Sequence, residues 1–126
     1  MLVALLRGRR TPAADRLRAV VREGQAFAIP LVCFQEVLQG AKDESEWRRL
    51  RSTLETQALA GPVDATRAHL EAARIFFDCR RRGLTVRSSV DCLIAQLALE
   101  RGDVLLHDDD DFESIAKVRP LKTLRH

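Results

Sequence analysis

The stretch from Leu2 to Arg10 opens on a short apolar run, which reads as the end of a helix, and passes through Gly8 into a basic loop. Thr11-Pro12 has the form of a helix start, with Thr as N-cap and Pro at the first helical position. Leu17, Val20 and Val21 then recur at helical spacing until Gly24. Ala26 to Ile29, closed by Pro30, predicts a buried strand, and Leu31 to Leu38 predicts a helix stopped by Gly40. From Glu44 to Gln57, Trp47, Leu50 and Leu54 share one face of an amphipathic helix, with charges opposite. Leu59 to Val63 reads as a short strand or edge segment broken by Gly61-Pro62. The longest helical pattern, Thr66 to Arg82, puts Ala68, Ala72, Ile75, Phe76 and Cys79 on its inner face and ends at Gly83. Ser88 or Ser89 caps a further helix through Ile94, Ala95, Leu97 and Ala98 to Arg101-Gly102. Val104 to Leu106 predicts a strand, Phe112 to Ala116 a short helix, and Pro120 to Leu124 a last edge strand.

Helix and short strand alternate, which predicts an α/β domain with a mostly parallel sheet flanked by helices. The consecutive helices between residues 31 and 57 would form a helical arm beside it. At 126 residues and 14.2 kDa the chain suits one domain, and it carries no repeat or linker. With 46% apolar and 31% charged residues it is not a disordered chain. Its longest charge-free apolar stretch, Ala26 to Phe34, is too short for a membrane span, which needs about 20 residues. The N-terminus places its basic residues after the apolar run, the reverse of a secretory signal. Cys33, Cys79 and Cys92 are odd in number and form no C-x-x-C pair, so they read as small core residues of a reduced, cytoplasmic protein.

Charge adds a partner class. There are 21 Lys+Arg against 18 Asp+Glu, and 18 of the 21 cations are Arg, which suits bidentate contact with phosphate. A GC-rich coding sequence would produce the same Arg excess. The acids are uneven: Asp108 to Asp111 are consecutive, just beyond a predicted strand, where ligands of such sheets gather. Two readings of that run stand side by side. One is a solvated helix N-terminus, where Asp is favoured. The other is a site for a hard cation, which takes oxygen ligands and needs only one or two carboxylates besides water and substrate phosphate.

Asp91 borders the apolar run Cys92-Leu93-Ile94-Ala95, and Glu36 stands among Cys33, Phe34, Val37 and Leu38. Each alone reads equally as a dipole-serving or outward-pointing acid. Together with the Asp run they make three carboxylate sources near one sheet edge, a pattern that suits metal-assisted phosphodiester hydrolysis. His69, His107 and His126 have no metal-ligand spacing, although His107 directly precedes the Asp run. No phosphate-binding glycine loop or serine-nucleophile motif occurs.

Four segments resemble the PIN-domain endoribonucleases, specifically the VapC-type toxins of bacterial toxin–antitoxin pairs: LRGRRTPAADRLRAVV, IPLVCFQEVLQGA, RRRGLTVRSSVDCLIAQLAL and VLLHDDDDFESIA. The resemblance runs along nearly the whole chain, and implies a single PIN-like domain over residues 1–126. It implies Mg²⁺- or Mn²⁺-dependent cleavage of RNA, a tRNA or ribosomal RNA. Glu36, Asp91 and Asp109 would be the metal-holding carboxylates, with Asp111 supporting them and Ser89 orienting Asp91. Arg80, Arg81, Arg82 and Arg87 would hold the RNA backbone. A cognate antitoxin is implied as partner, in a groove walled by the helices of residues 31–57 with Phe34 and Trp47, and so is a homodimer.

One departure from the family pattern stands at the N-terminus. Members begin with a central strand that ends in a metal-binding Asp. Here Met1 reads as already inside the following helix, so the strand and its acid are expected to be missing, with the true start upstream. Two other readings therefore remain: a catalytically impaired PIN-like module that still binds an antitoxin, and a nuclease or phosphatase with a different substrate.

Overall fold

The computed structural model describes residues 1–4, 15, 19, 21–24 and 26–125. Among them, five strands form one sheet: β1 (Leu2–Val3), β2 (Ala28–Pro30), β3 (Ala58–Ala60), β4 (Leu105–His107) and β5 (Thr123–Arg125). The labelled helices are α1 (Leu31–Gln39), α2 (Glu44–Glu55), α3 (Ala65–Arg81), α4 (Ser89–Arg101) and α5 (Asp110–Ala116). The sheet order is β3-β2-β1-β4-β5 and every pairing is parallel. Each connection must then cross over, and between β2 and β5 helices make the crossovers. The expected α/β sheet flanked by helices is observed.

The N-terminal expectation is corrected. Leu2–Val3 is not the end of a helix but the central strand, paired with Ala28 on one side and with Leu105 and Leu106 on the other. The family's first strand, expected to be missing, is therefore present. The physical reason for the misreading is burial on both faces. A central parallel strand shows no alternation, only a short apolar run, and such a run fits a buried helix equally well. The expected helix start at Thr11-Pro12 lies outside the described residues. Asp15, Ala19 and Val21 are helical, and Gly24 has φ +69°, the left-handed form that ends a helix.

Helix ends follow their caps. Asp43 accepts from the Glu46 N–H at 2.8 Å and starts α2, and Asp64 accepts from the Arg67 N–H at 3.0 Å and starts α3. Gly102, at φ +65°, closes α4. The core lies between sheet and helices, around Leu2, Ile29, Leu54, Ile75, Ile94, Leu105, Phe112 and Ile115. Cys33, Cys79 and Cys92 are buried in it as free thiols. Burial pushes the Cys92 thiol up to about 12. No helix among the described residues is long and apolar enough to cross a membrane.

Candidate metal centre

The Asp run lies directly beyond β4, and the structure sorts its members by parity. Asp109 is the N-cap of α5, its Oδ1 accepting the Asp111 N–H at 3.0 Å, so Asp110 and Asp111 form the first turn. Asp111 turns inward and is 3% exposed. Its two carboxylate oxygens accept the Arg87 N–H at 3.0 Å each, and Oδ2 also accepts the Ser88 N–H at 2.9 Å. Ser88 is the N-cap of α4. The Asp111 carboxylate thus ties the start of α5 to the start of α4, where Asp91 sits in the first turn, 0% exposed.

The outcome is a group of three. Asp91, Asp109 and Asp111 each offer a carboxylate oxygen, and these oxygens all lie within 4.8 Å of one another. Two are buried and Asp109 is half-buried. Buried like charges at such distances repel strongly unless a cation sits among them. The donor set is all oxygen and suits a hard divalent cation, which needs only one or two direct carboxylates. The residues present therefore fit a metal ion.

The even-numbered acids face the other way. Arg125, the last residue of β5, lies 3.5 Å from Asp108, 2.8 Å from Asp110 and 2.9 Å from Glu113. Its guanidinium holds the Asp110 carboxyl below the usual carboxylate range. The strand register explains the meeting, because Arg125 pairs with His107 across β4 and β5. His107 supports the same turn from beneath. It is fully buried, its Nδ1 accepts the Asp109 N–H at 3.2 Å, and its ring lies 5.1 Å from that of Phe112. Burial lowers its pKa, with the charge of Arg125 adding to the effect. The neutral ring leaves Nδ1 free to accept.

The remaining expected site residues fall elsewhere. Glu36 lies on α1, half-buried and outside the group of three. Ser89 is exposed at the first position of α4. Arg87 offers its backbone to Asp111, while its side chain is exposed. Arg80, Arg81 and Arg82 are exposed at the C-terminal end of α3. At the end of β1, Ala4 donates its N–H to Leu106 O at 2.8 Å, and no Asp or Glu precedes Asp15 in the chain. Arg125 was not singled out in the sequence. Its only signal was a lone Arg in a terminal strand.

The model of the PIN domain matches residues 1–118. The chain belongs to the PIN-domain family. Two curated members resemble it at 36% identity over 113 residues, covering 87% of this chain and 81% of each relative. They are VapC ribonuclease Mb1587 of Mycobacterium bovis and ribonuclease VapC11 of Mycobacterium tuberculosis. Among solved structures, VapBC-1 from nontypeable Haemophilus influenzae superposes with a TM-score of 0.70 at 16% identity, over 99% of this chain and 96% of that one. At that identity the likeness concerns the fold. The PIN-domain sheet thus holds its three clustered acids beyond β4, the strand next to its centre.

An apolar cavity opens beside the helical arm of this PIN domain among the described residues. A cavity of about 230 Å³ is lined by Leu31 and Gln35 of α1, Pro62, His69 of α3 and Leu93 and Leu97 of α4. Phe34 and Trp47 are not among its walls. Phe34 packs against the core, and Trp47 stands partly exposed on α2.

Proposed function

We propose that this chain is a VapC-type ribonuclease toxin that cleaves RNA with the help of Mg²⁺ or Mn²⁺ and is neutralised by a cognate antitoxin. The observation that carries this reading is the convergence of Asp91, Asp109 and Asp111 in a chain 36% identical to named VapC ribonucleases. A bound divalent cation supplies a water of lowered pKa and stabilises charge on the phosphate.

The chain's own groups do the rest. Asp91 and Asp109 would present oxygens to the cation. Asp111 keeps the α4 and α5 starts in register through its backbone hydrogen bonds, while its remaining lone pairs face the group. Glu36, half-buried on α1 and outside the group of three, is a further proposed metal-holding carboxylate. Arg125 engages Asp108, Asp110 and Glu113, so that Asp91, Asp109 and Asp111 are the carboxylates that would hold a cation. Arg87, next to Asp111's anchor, offers a cation for substrate phosphate. A tRNA or ribosomal RNA is the proposed substrate, a homodimer the proposed toxin state, and the cytoplasm the proposed location.

The second reading, a PIN module that binds an antitoxin but cleaves poorly, is favoured by one observation: β1 runs into Ala4 without an acid. Incubation of the purified protein with bulk tRNA and ribosomal RNA separates the two. The nuclease reading expects cleavage that needs Mg²⁺ or Mn²⁺, stops with chelator, is abolished by Asp91→Asn and is only weakened by Glu36→Gln. Protein that binds Mn²⁺ yet leaves every RNA intact supports the second reading.

A further inference from the structure

Positive charge gathers at the other end of α5 from the acids. A pocket of about 330 Å³ opens there between the end of α3 and the segment after α5. Arg74, Arg81, Arg82, Lys117 and Arg119 line it against one acid, Asp78. That acid is already engaged on both oxygens, at 3.1 Å from Arg74 Nε and 2.9 Å from Arg119 Nη2. Arg82 Nη1 donates to Lys117 O at 2.6 Å and fixes one wall to the other. Arg74, Asp78, Arg82 and Arg119 are therefore framework.

Arg81 and Lys117 are left over. Both are exposed, and neither takes part in an ion pair among the described residues. The Arg81 guanidinium lies 5.7 Å from the Phe77 ring centroid, so its stem is held against an aromatic surface. Arg48 and Arg51, by contrast, are paired with Glu44 and Glu55 on their own helix. Two unspent cations on a braced frame make a site that wants an anion.

The position selects which anion. The segment from Arg82 to Ser88 runs alongside α5 and is bonded to it at both ends, to Lys117 O by Arg82 and to Asp111 by Arg87 and Ser88. The pocket and the acids are thus held at a fixed spacing of roughly 10 Å, the rise of a seven-residue helix. A polyanionic strand whose phosphate lies at the acids reaches the pocket within a few nucleotides.

We propose that Arg81 and Lys117 bind a backbone phosphate of the RNA strand whose scissile phosphate lies at Asp91, Asp109 and Asp111. The proposal rests on the nuclease reading above. It makes the pocket an anchor that sets where along the strand the cut falls, and it separates Arg81 from Arg87, which serves the phosphate next to the acids.

The test is binding of a labelled single-stranded RNA to the Asp91→Asn protein in chelator, with salt varied. The Arg81→Gln, Lys117→Gln pair of changes should reduce the slope of log affinity against log salt by about 0.7, the contribution of one phosphate contact on a single strand. Lys117→Gln alone, at an exposed helix end, should remove about half of that. Arg48→Gln serves as control and should leave the slope unchanged.

A slope unaltered in both test variants, or altered equally by Arg48→Gln, overturns the proposal. So does loss of binding to a polyglutamate peptide with RNA binding intact, which assigns the pocket to a protein partner. Cleavage by the wild-type and double-variant proteins keeps the two readings apart. RNA bound with the expected salt slope but never cut sinks the nuclease and leaves the pocket; RNA cut with unchanged KM in the double variant sinks the pocket and leaves the nuclease.

Discussion

Replacing Asp91 by Asn should make the metal-free protein more stable and remove its response to metal. The oxygens of Asp91, Asp109 and Asp111 lie within 4.8 Å of one another, and two unit charges at that separation repel by about 3.5 kcal/mol at an effective dielectric of ~20. Asn has almost the shape of Asp and removes two of the three pairs, which sets a ceiling of about 7 kcal/mol. Asp109 is only half-buried and Asp111 spreads its charge over three N–H contacts, so screening leaves a net gain of about 1–2 kcal/mol. For 126 residues that raises the Tm by roughly 4–8 °C. A cation at a hundred times its Kd should restore about 2.7 kcal/mol to the wild type, or roughly 10 °C. Scanning calorimetry in chelator and then in rising Mn²⁺ reads both effects. The two proteins should exchange rank, with the variant melting higher in chelator and the wild type higher in saturating Mn²⁺. A variant that melts lower in chelator, or a pair that rises equally with Mn²⁺, refutes the claim that these carboxylates form a repelling, cation-seeking group.

Asp111→Ala leaves the Arg87 and Ser88 N–H groups without their acceptor, at about 1–3 kcal/mol for each group kept from water, and should lower the urea midpoint and slow RNA cleavage together. Cys92, with its thiol pushed up to about 12 by burial, and the equally buried Cys33 and Cys79 should not react with a thiol reagent at neutral pH until the protein is unfolded. The Arg119 hydrogen bond holds the Asp78 carboxyl below its usual 3.8, so its stabilisation is fully present above that value and is lost as pH falls through the lower, folded value. Asp78→Asn should accordingly flatten the acid limb of a Tm-against-pH curve below about pH 4 and leave the neutral region unchanged in slope.

The longer helices were legible to within a residue or two because their ends carry their own chemistry. Asp64 and Gly83 bracket α3, and Ser88 and Gly102 bracket α4. These are local signals: Asp64 accepts the Arg67 N–H three positions on, and the N–H groups of Gly83 and Gly102 bond Arg80 O and Leu99 O three positions back. The central strand was not legible for the opposite reason. Leu2–Val3 is specified by β2 and β4, which pack on either side of it, and nothing within its own few residues distinguishes strand from helix.

The same division runs through the site. A cation site at Asp108 to Asp111 was one of the two readings open from four carboxylates after a strand, since ionic chemistry belongs to the residues themselves. Which two turn inward, Asp109 and Asp111, came from the family resemblance and not from the run itself, because that depends on a partner placed by register. Pairing His107 with Arg125 sets a guanidinium beside β4, and it takes Asp108 and Asp110 with Glu113. Helix α5 alternates its first acids between that cation and the buried start of α4, so Asp109 and Asp111 meet Asp91 by exclusion as much as by attraction. A substitution at Arg125 therefore tests the site without touching it. Arg125→Gln frees three acids near the group of three and should loosen the turn that aims Asp109. The Mn²⁺ dissociation constant should rise several-fold while the Tm in chelator, set by exposed pairs worth ~1 kcal/mol or less, barely moves.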